Sequence, residues 1–125
     1  YKNLKKPIFA SKNIVSDNPD FPKIKKRLKN YGMNSGFKQF RIENYSCYLP
    51  NDLAISYALA LTTIGNAKKI MLVGFDGYKQ NNSLQEEMIE TIKLYKNCKQ
   101  NINICSLTPT SYPVESDSLY APKKN

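Results

Sequence analysis

Histidine is absent from the 125 residues of the sequence. A histidine side chain activates the nucleophile of many serine and cysteine enzymes, and it is a frequent ligand of zinc. Its absence excludes Ser-His, Cys-His and His-metal chemistry supplied by these residues alone. We therefore expect no metal site within this chain.

Cysteines are few and widely spaced. The sequence has three of them, Cys47, Cys98 and Cys105, and no C-x-x-C pair. An odd number without a pairing pattern does not indicate a disulfide framework, and it fits the reducing cytoplasm. Cys105 lies in an apolar run, so we interpret it as a small core residue.

Long apolar runs are also lacking, and no stretch approaches the length of a membrane span. The first residues, YKNLKKP, contain neither an initiator methionine nor the apolar core of a signal peptide. We expect a cytoplasmic protein without a membrane span. The start at Tyr1 suggests a fragment of a longer protein.

Acidic residues are scarce in the first third of the chain. The net charge is +9, and residues 1–41 carry eleven Lys or Arg against Asp17 and Asp20. A basic segment of this kind attracts phosphates, nucleic acids or membrane surfaces. Five of its charges fit the solvated face of one amphipathic helix: Lys23, Lys25, Lys26, Arg27 and Lys29. We favour this solvated helix and do not expect a nucleic-acid partner.

The chain is organised around a helix, a strand and a polar turn near its centre. Asn51 or Asp52 is a typical N-cap for a helix over residues 53–64, because a short polar side chain accepts the free amides of the first turn. Gly65 ends this helix. Residues 70–73 are a continuous apolar run, which predicts a strand buried on both faces of a parallel sheet.

The segment before this centre predicts two strands and one helix. Residues 7–11 form a short apolar run, and residues 37–48 contain the alternating pattern of a half-buried strand. Between them, Asp20 and Pro22 start a helix that Gly32 ends. The buried face of this helix consists of Phe21, Ile24, Leu28 and Tyr31.

The segment after the centre predicts a helix, a strand and a tail. Ser83 and Glu86 have the spacing of a capping box, which starts a helix. The buried face of this helix consists of Met88, Ile89, Ile92 and Tyr95. Residues 102–107 form an apolar strand that leads into a Thr-Pro-Thr-Ser turn. From Glu115 onward the pattern lacks periodicity, so we expect a loose tail.

This alternation of strands and helices predicts the α/β class, with a Rossmann-like three-layer sandwich built on a mainly parallel sheet. We expect residues 1–114 to form a single domain, followed by a tail at residues 115–125. Ligands of such sheets bind beyond the carboxyl ends of the strands. The turns after residues 70–73 and 102–107 should therefore lie side by side, near the start of the central helix.

We expect these turns and the helix start to form one ligand-binding site. Free amides at a helix start favour an anion, so phosphate is the first candidate for a ligand group. The candidate ligand-binding residues are Asn51, Asp52, Gly74, Asp76, Tyr78, Thr108, Thr110 and Ser111. The sequence assigns no catalytic residue, and we expect no cofactor in this chain.

Residues 50–112 resemble the bacterial sialyltransferase family in two places. Residues 74–78 follow the G-h-D-x-Y turn of that family, and residues 108–111 resemble its later turn with a proline. The resemblance implies a sialyltransferase-like Rossmann domain that binds a cytidine-nucleotide sugar. It implies that Tyr78 donates to the leaving phosphate and that Asp76 is a structural or ligand-ordering carboxylate. Those transferases use a histidine base, which this chain lacks.

Most of the chain also resembles the C-terminal domain of 4-hydroxy-2-oxovalerate aldolase-type proteins. These proteins are HMG-CoA-lyase-like and occur with surface-polysaccharide genes. The resemblance rests on the segments PNDLAISYALA, GFDGY and SLTPTSY. It implies that an aldolase barrel precedes this domain in the same chain, and that the lyase site with its divalent metal belongs to that barrel.

The sequence is consistent with three functions. The one we favour is an accessory, noncatalytic domain of an aldolase-type protein of surface-polysaccharide synthesis, which binds a nucleotide or a sugar phosphate. The second is a sialyltransferase-like glycosyltransferase that uses a nucleotide-sugar donor, with a base from outside this chain or with Asp76 as the base. The third is a structural or oligomerisation domain in which Asp76 and Asn51 only satisfy backbone amides.

Overall fold

The chain folds into a mixed α/β structure with small sheets. The computed structural model describes residues 6–79, 82–118 and 120. The strands are β1 (Ile8–Ala10), β2 (Leu28–Asn30), β3 (Gly32–Asn34), β4 (Arg41–Ile42), β5 (Ser46–Tyr48), β6 (Ile70–Leu72), β7 (Ile104–Ser106) and β8 (Glu115–Ser116). The helices are α1 (Lys12–Val15), α2 (Phe21–Ile24), α3 (Ala54–Ile64) and α4 (Ser83–Lys96).

The strands of the first half are linked through one extended segment, residues 28–34. Its first part, β2, pairs in parallel with β1, and its second part, β3, pairs in parallel with β5. Tyr31 connects the two parts, and its N–H donates to the carbonyl of Ala10 at 3.2 Å. Strand β4 pairs antiparallel with the other edge of β5.

The helix predicted over residues 20–32 is wrong. Only the single turn of α2 and a 3₁₀ turn at Lys25–Arg27 form, and the chain is extended from Leu28 onward. A continuous helix would place Lys25 one turn from Lys29, and like charges at that spacing destabilise a helix. The extended form gains the ladder with β1 instead. We expected the basic side chains of this segment to share one face of a helix, and they do not.

Helices α3 and α4 form as predicted and lie side by side. The hydroxyl groups of Thr63 on α3 and Tyr95 on α4 hydrogen-bond at 2.7 Å, and Tyr95 also accepts from the Ile102 N–H at 2.9 Å. The apolar residues of both helices belong to one core cluster with those of the strands, including Ile42, Cys47, Leu49, Ile55, Leu59, Ile70, Leu72, Met88, Ile92 and Ile104. In the described ranges, no helix combines the length and the hydrophobicity that crossing a membrane requires.

The start of α4 differs by one residue from its prediction. The N-cap is Asn82, whose side chain accepts from the Leu84 N–H at 2.9 Å. Ser83, the predicted cap, is the first helical residue instead. An asparagine caps a helix as well as a serine does, so the helix begins one position earlier than the capping-box pattern indicated.

The C-terminal sheet consists of three parallel strands in the order β6-β7-β8, with the fully buried β7 at its centre. The Asp117 N–H donates to the Ser106 carbonyl at 2.8 Å, and the Asp117 carboxylate forms an ion pair with Lys69 at 3.2 Å. The prediction of a loose tail from Glu115 onward is therefore wrong for residues 115–117. The sequence pattern missed this strand because two residues are too few to show periodicity. Residues 119 and 121–125 of the predicted tail lie outside the described residues.

Strand β6 is covered on one face only. Its Ile70 and Leu72 side chains belong to the core cluster, whereas Met71 is 53% exposed and the following Val73 is 55% exposed. The prediction that this strand is buried on both faces is therefore wrong. Helices α3 and α4 share the cluster with Ile70 and Leu72, which leaves the opposite face open at these positions. A Rossmann-like sandwich with one mainly parallel sheet thus stays an interpretation.

Candidate functional site

The turns that follow β6 and β7 lie against each other, as the parallel order of these strands predicts. Leu72 pairs in register with Ser106, and the Leu107 N–H donates to the Leu72 carbonyl at 2.9 Å. Both strands therefore end at the same level of the sheet. We call residues 74–78 and 108–111 the paired loops.

Threonines of the second loop hold the first half of the first loop. The Gly74 N–H donates to Thr108 Oγ1 at 2.9 Å. The Thr110 hydroxyl donates to the Phe75 carbonyl at 2.5 Å. Because each threonine binds a backbone group, the path of the loop is fixed directly after β6.

Ser111 and Gln85 hold the second half of the same loop. The Asp76 carbonyl accepts from the N–H and the hydroxyl of Ser111, at 2.9 and 3.0 Å. Gln85, on the first turn of α4, accepts from the Tyr78 N–H at 2.8 Å and donates to Ser111 Oγ at 2.8 Å. The sequence did not single out Gln85. Its only signal is its place on the first helical turn after the loop.

The hydroxyl groups predicted to contact a ligand are thus engaged with the protein itself. Thr108, Thr110 and Ser111 lie where the sequence predicts them, beside the first loop, but they bind its backbone. Their role in the structure is to position that loop. The groups of the loop itself, at residues 74–78, are therefore the candidates for ligand contact.

The first loop presents several polar groups without a protein partner. Within the described residues, the N–H groups of Phe75, Asp76 and Gly77 have no acceptor, and the Asp76 carboxylate has no hydrogen bond or ion pair. Tyr78 is 48% exposed. Gly74 and Gly77 have φ angles of 76° and 117°, which glycine adopts without strain. Successive free amides in a turn of this kind favour an anion, and a phenol adds a further donor.

Two adjoining depressions flank the first loop. One has a volume of about 380 Å³ and is lined by the loop together with Met88 and Tyr112. The other is a mostly apolar groove of about 480 Å³ between α3 and β6, and it shares Phe75, Tyr78 and Met88 with the first. Burial raises the pKa of Tyr112, and the nearby Tyr78 phenol adds to this shift. The site therefore combines a polar loop with an apolar wall.

Asn51 and Asp52, also predicted to bind a ligand, are not among the described residues that line these depressions. The N-cap of α3 is Leu53, without a side-chain cap, so the predicted cap is wrong. The Asn51 amide accepts from the Leu53 N–H at 3.2 Å and from the Ser56 hydroxyl at 2.6 Å, and it donates to Thr91 Oγ1 at 2.7 Å. Asn51 therefore connects α3 to α4, because its polar atoms are occupied within the fold.

A second group of titratable side chains, Tyr31, Cys47 and Tyr57, does not line either depression; Tyr31 and Cys47 are buried and Tyr57 is half-buried. The Tyr57 phenol donates to the Tyr31 carbonyl, and the Tyr31 phenol donates to the Glu43 carbonyl, both at 2.7 Å. Burial raises the pKa of Cys47 to about 11, and burial together with the nearby thiol raises the pKa of Tyr57 to about 12. A thiol that stays protonated at neutral pH is a weak nucleophile, so this cluster is structural.

The fold and the site define a mixed α/β protein with a surface site at the ends of two parallel strands. In the part of the chain that the structure describes, no group of three or more Cys, Asp or Glu side chains is arranged to hold a metal ion. Comparison of the chain with protein-family models, with curated proteins and with solved structures finds no match. A functional assignment therefore rests on the geometry of the paired loops.

Proposed function

We propose that this chain is a binding module, not catalytic by itself, that holds a nucleotide or a sugar phosphate at the paired loops. The observation that carries the proposal is the row of free N–H groups at residues 75–77, beside the exposed phenol of Tyr78. A row of amides in a rigid turn stabilises a phosphate without the reorganisation that flexible side chains require.

The groups around the loop suit the other parts of such a ligand. The Asp76 carboxylate is exposed and accepts hydrogen bonds, which matches the hydroxyl groups of a ribose or a sugar. Phe75 of the first loop is 37% exposed and lines the apolar groove, where its ring can contact a base. The phosphate would then lie at the amides and the base at the groove.

A binding role is favoured over a catalytic one by what surrounds Asp76. Among the described residues, no cation and no second carboxylate contacts this side chain. Histidine is the side chain that most often transfers protons in general acid-base catalysis, and the sequence contains none. A sialyltransferase-like activity would therefore need a base from outside these residues.

The context we propose for this module is an accessory domain of an aldolase-type protein linked to surface-polysaccharide synthesis, with a sialyltransferase-like fold. The support for this context is the sequence resemblance of PNDLAISYALA, GFDGY and SLTPTSY. The parallel β6-β7-β8 sheet with its loops at one end is compatible with it. The divalent metal of such a protein would belong to the upstream barrel.

Calorimetric titration of the 125-residue chain with cytidine monophosphate, cytidine and inorganic phosphate tests the proposal. We expect saturable binding of the nucleotide, and weaker binding of each part alone, because the amides and the groove contact different parts. Tyr78→Phe, which removes one exposed donor, should weaken nucleotide binding by about tenfold.

The matched control is Tyr45→Phe, which removes a phenol that is 86% exposed and does not line either depression among the described residues. This variant should bind like the unmodified chain. If none of the three compounds binds at millimolar concentration, or if both variants lose the same affinity, the proposal is wrong.

A further inference from the structure

Phe9 and Lys29 are neighbours on the two-stranded sheet of β1 and β2. They are register partners in this parallel pair, and partners of a ladder direct their side chains to the same face of the sheet. Both side chains are exposed, that of Phe9 to 56%. An exposed ring offers a flat surface for stacking, and the ammonium group beside it offers a positive charge for an anion.

Both side chains line a second apolar groove, which has a volume of about 530 Å³. Helix α3 contributes Leu61 and Ile64 to it, and two exposed amides, Asn30 and Asn44, contribute polar groups. The Oδ1 atom of Asn30 accepts from the Lys12 N–H at 2.8 Å. Within the described residues, the NH₂ group of Asn30 and the whole Asn44 amide have no partner. The groove therefore combines apolar walls with free amide groups, which suit the faces and the edge of a nucleobase.

Basic side chains flank the same two strands. Residues 6–30 contain seven basic and two acidic side chains, a net charge of +5. Lys6 precedes β1 by two residues, and the Lys-Lys-Arg run of residues 25–27 comes directly before β2. Since the strands pair in parallel, with Ile8 opposite Leu28, both groups of cations lie at the same end of the sheet. The pairing thus gathers charges that are about twenty residues apart in the sequence.

Most of these cations are not neutralised by the protein. Within the described residues, Lys23 is the one basic side chain of residues 6–30 that forms an ion pair, with Asp20. We expected no nucleic-acid partner because the charges fitted the solvated face of one helix, and that helix does not form. The unpaired positive charge at this end of the sheet attracts a polyanion.

We propose that this surface binds single-stranded nucleic acid. One base stacks on the Phe9 ring and enters the groove, where the amides of Asn30 and Asn44 bond to its edge. Lys29 and the basic residues 25–27 contact the phosphates along the strand. The surface does not include the paired loops, so this inference goes beyond the function proposed above and does not depend on it.

Fluorescence anisotropy of a labelled single-stranded RNA of about 12 nucleotides, titrated with the 125-residue chain, tests the proposal. We expect saturable binding. The logarithm of the affinity should fall with the logarithm of the salt concentration with a slope of about −2 to −3.5, which corresponds to about 3 to 5 phosphate contacts. The same RNA annealed to its complement should bind about tenfold more weakly, because a duplex presents no unstacked base to the groove.

Variants of Phe9 separate stacking from simple apolar contact. Phe9→Leu keeps an apolar side chain but removes the ring, so it should weaken RNA binding by about tenfold, whereas Phe9→Tyr should retain the affinity. The matched control is Phe37→Leu, since Phe37 is 42% exposed and is not among the described residues that line this groove. Phe9 is exposed, so both of its variants should keep the circular dichroism spectrum of the unmodified chain.

Lys29→Gln should make the salt slope shallower by about 0.7, because one phosphate contact is lost. Its control is Lys99→Gln, which changes an exposed lysine that is not among the described lining residues and should keep the slope. The proposal is overturned if the RNA does not bind at low salt, or if Phe9→Leu and Phe37→Leu lose the same affinity. It is also overturned if vesicles of phosphatidylserine bind more tightly than the RNA, because the basic residues would then serve a membrane surface.

Discussion

Among the glycines, Gly77 is the one whose surroundings leave least room for a side chain. Its φ of 117° is unfavourable for any other residue. A Cβ atom at this position would lie 2.0 Å from Ser111 Oγ, and 3.2 and 3.3 Å from the Gln85 Oε1 and Nε2 atoms, closer than ordinary van der Waals contact. Both of these side chains hold the first of the paired loops. The geometry of the site therefore depends on the absence of a side chain here.

We predict that Gly77→Ala lowers the free energy of unfolding by about 1–3 kcal/mol and lowers the affinity for any ligand that binds the loop amides. The cost combines backbone strain with displacement of Ser111. Gly36→Ala serves as the control, because Gly36 also has a positive φ, 87°, but a Cβ there would have no neighbour within 4 Å. Urea denaturation of both variants measures the difference. Equal losses would mean that the contact with Ser111 has no energetic weight.

Between secondary-structure elements, the clearest polar connection is the Asn51 amide, which joins the start of α3 to the middle of α4. We predict that Asn51→Ala lowers the free energy of unfolding by about 1–3 kcal/mol, because it leaves the hydroxyl groups of Ser56 and Thr91 without this partner in a buried place. Asp52→Ala changes the neighbouring exposed residue and should cost less than about 0.5 kcal/mol. Thermal denaturation of both variants measures the two losses of stability. Similar losses in Asn51→Ala and Asp52→Ala would contradict a structural role for Asn51.

The elements that the sequence predicts correctly are those whose signals are local. Helices α3 and α4 follow from apolar periodicity, and the apolar runs around β6 and β7 predict strands. From the parallel order of these strands, the contact between the paired loops follows as well. Local patterns are therefore sufficient for the centre of the chain and for the loops that follow its strands.

The elements that the sequence does not predict depend on distant partners. Strand β2 forms because β1, about twenty residues earlier, pairs with it, and no window of β2 itself shows this. Strand β8 is two residues long and is held by β7 and by the ion pair of Lys69 with Asp117. At the site, the role of Gln85 depends in the same way on which loop lies beside the helix start.

For the whole molecule, the cluster of the buried Tyr31 and Cys47 with the half-buried Tyr57 links stability to pH. Burial raises the pKa of Cys47 from 9.0 to about 11, and burial with the nearby thiol raises that of Tyr57 from 10.0 to about 12. In the unfolded chain these groups lose their protons at their ordinary pKa, while the folded chain retains them. Their contribution to stability is therefore complete below pH 9, and it is lost as the pH rises through the folded-state pKa values.

We predict that the free energy of unfolding falls above pH 9, by at most about 1.4 kcal/mol per pH unit for each of these groups. Urea denaturation at a series of pH values measures this slope. Cys47→Ala should reduce the slope between pH 9 and 11, where the thiol of the unfolded chain ionises first. The control is Cys98→Ala, which changes a thiol outside this cluster and should not reduce the slope in this way. A stability that is constant from pH 8 to 11 would contradict the assignment of the cluster as buried and protonated.

The position of β8 near the end of the chain also affects how the protein folds during its synthesis on the ribosome. The two sheets of the first half, β1-β2 and β3-β5-β4, have all of their strands by Tyr48, so they can assemble while later residues are still being synthesised. The C-terminal sheet instead lacks its third strand until residues 115–117 leave the exit tunnel. Until then β7, the central and fully buried strand of the sheet, has one unpaired edge. A nascent chain stalled just before Glu115 would therefore present that edge to chaperones, or to the same strand of a neighbouring nascent chain.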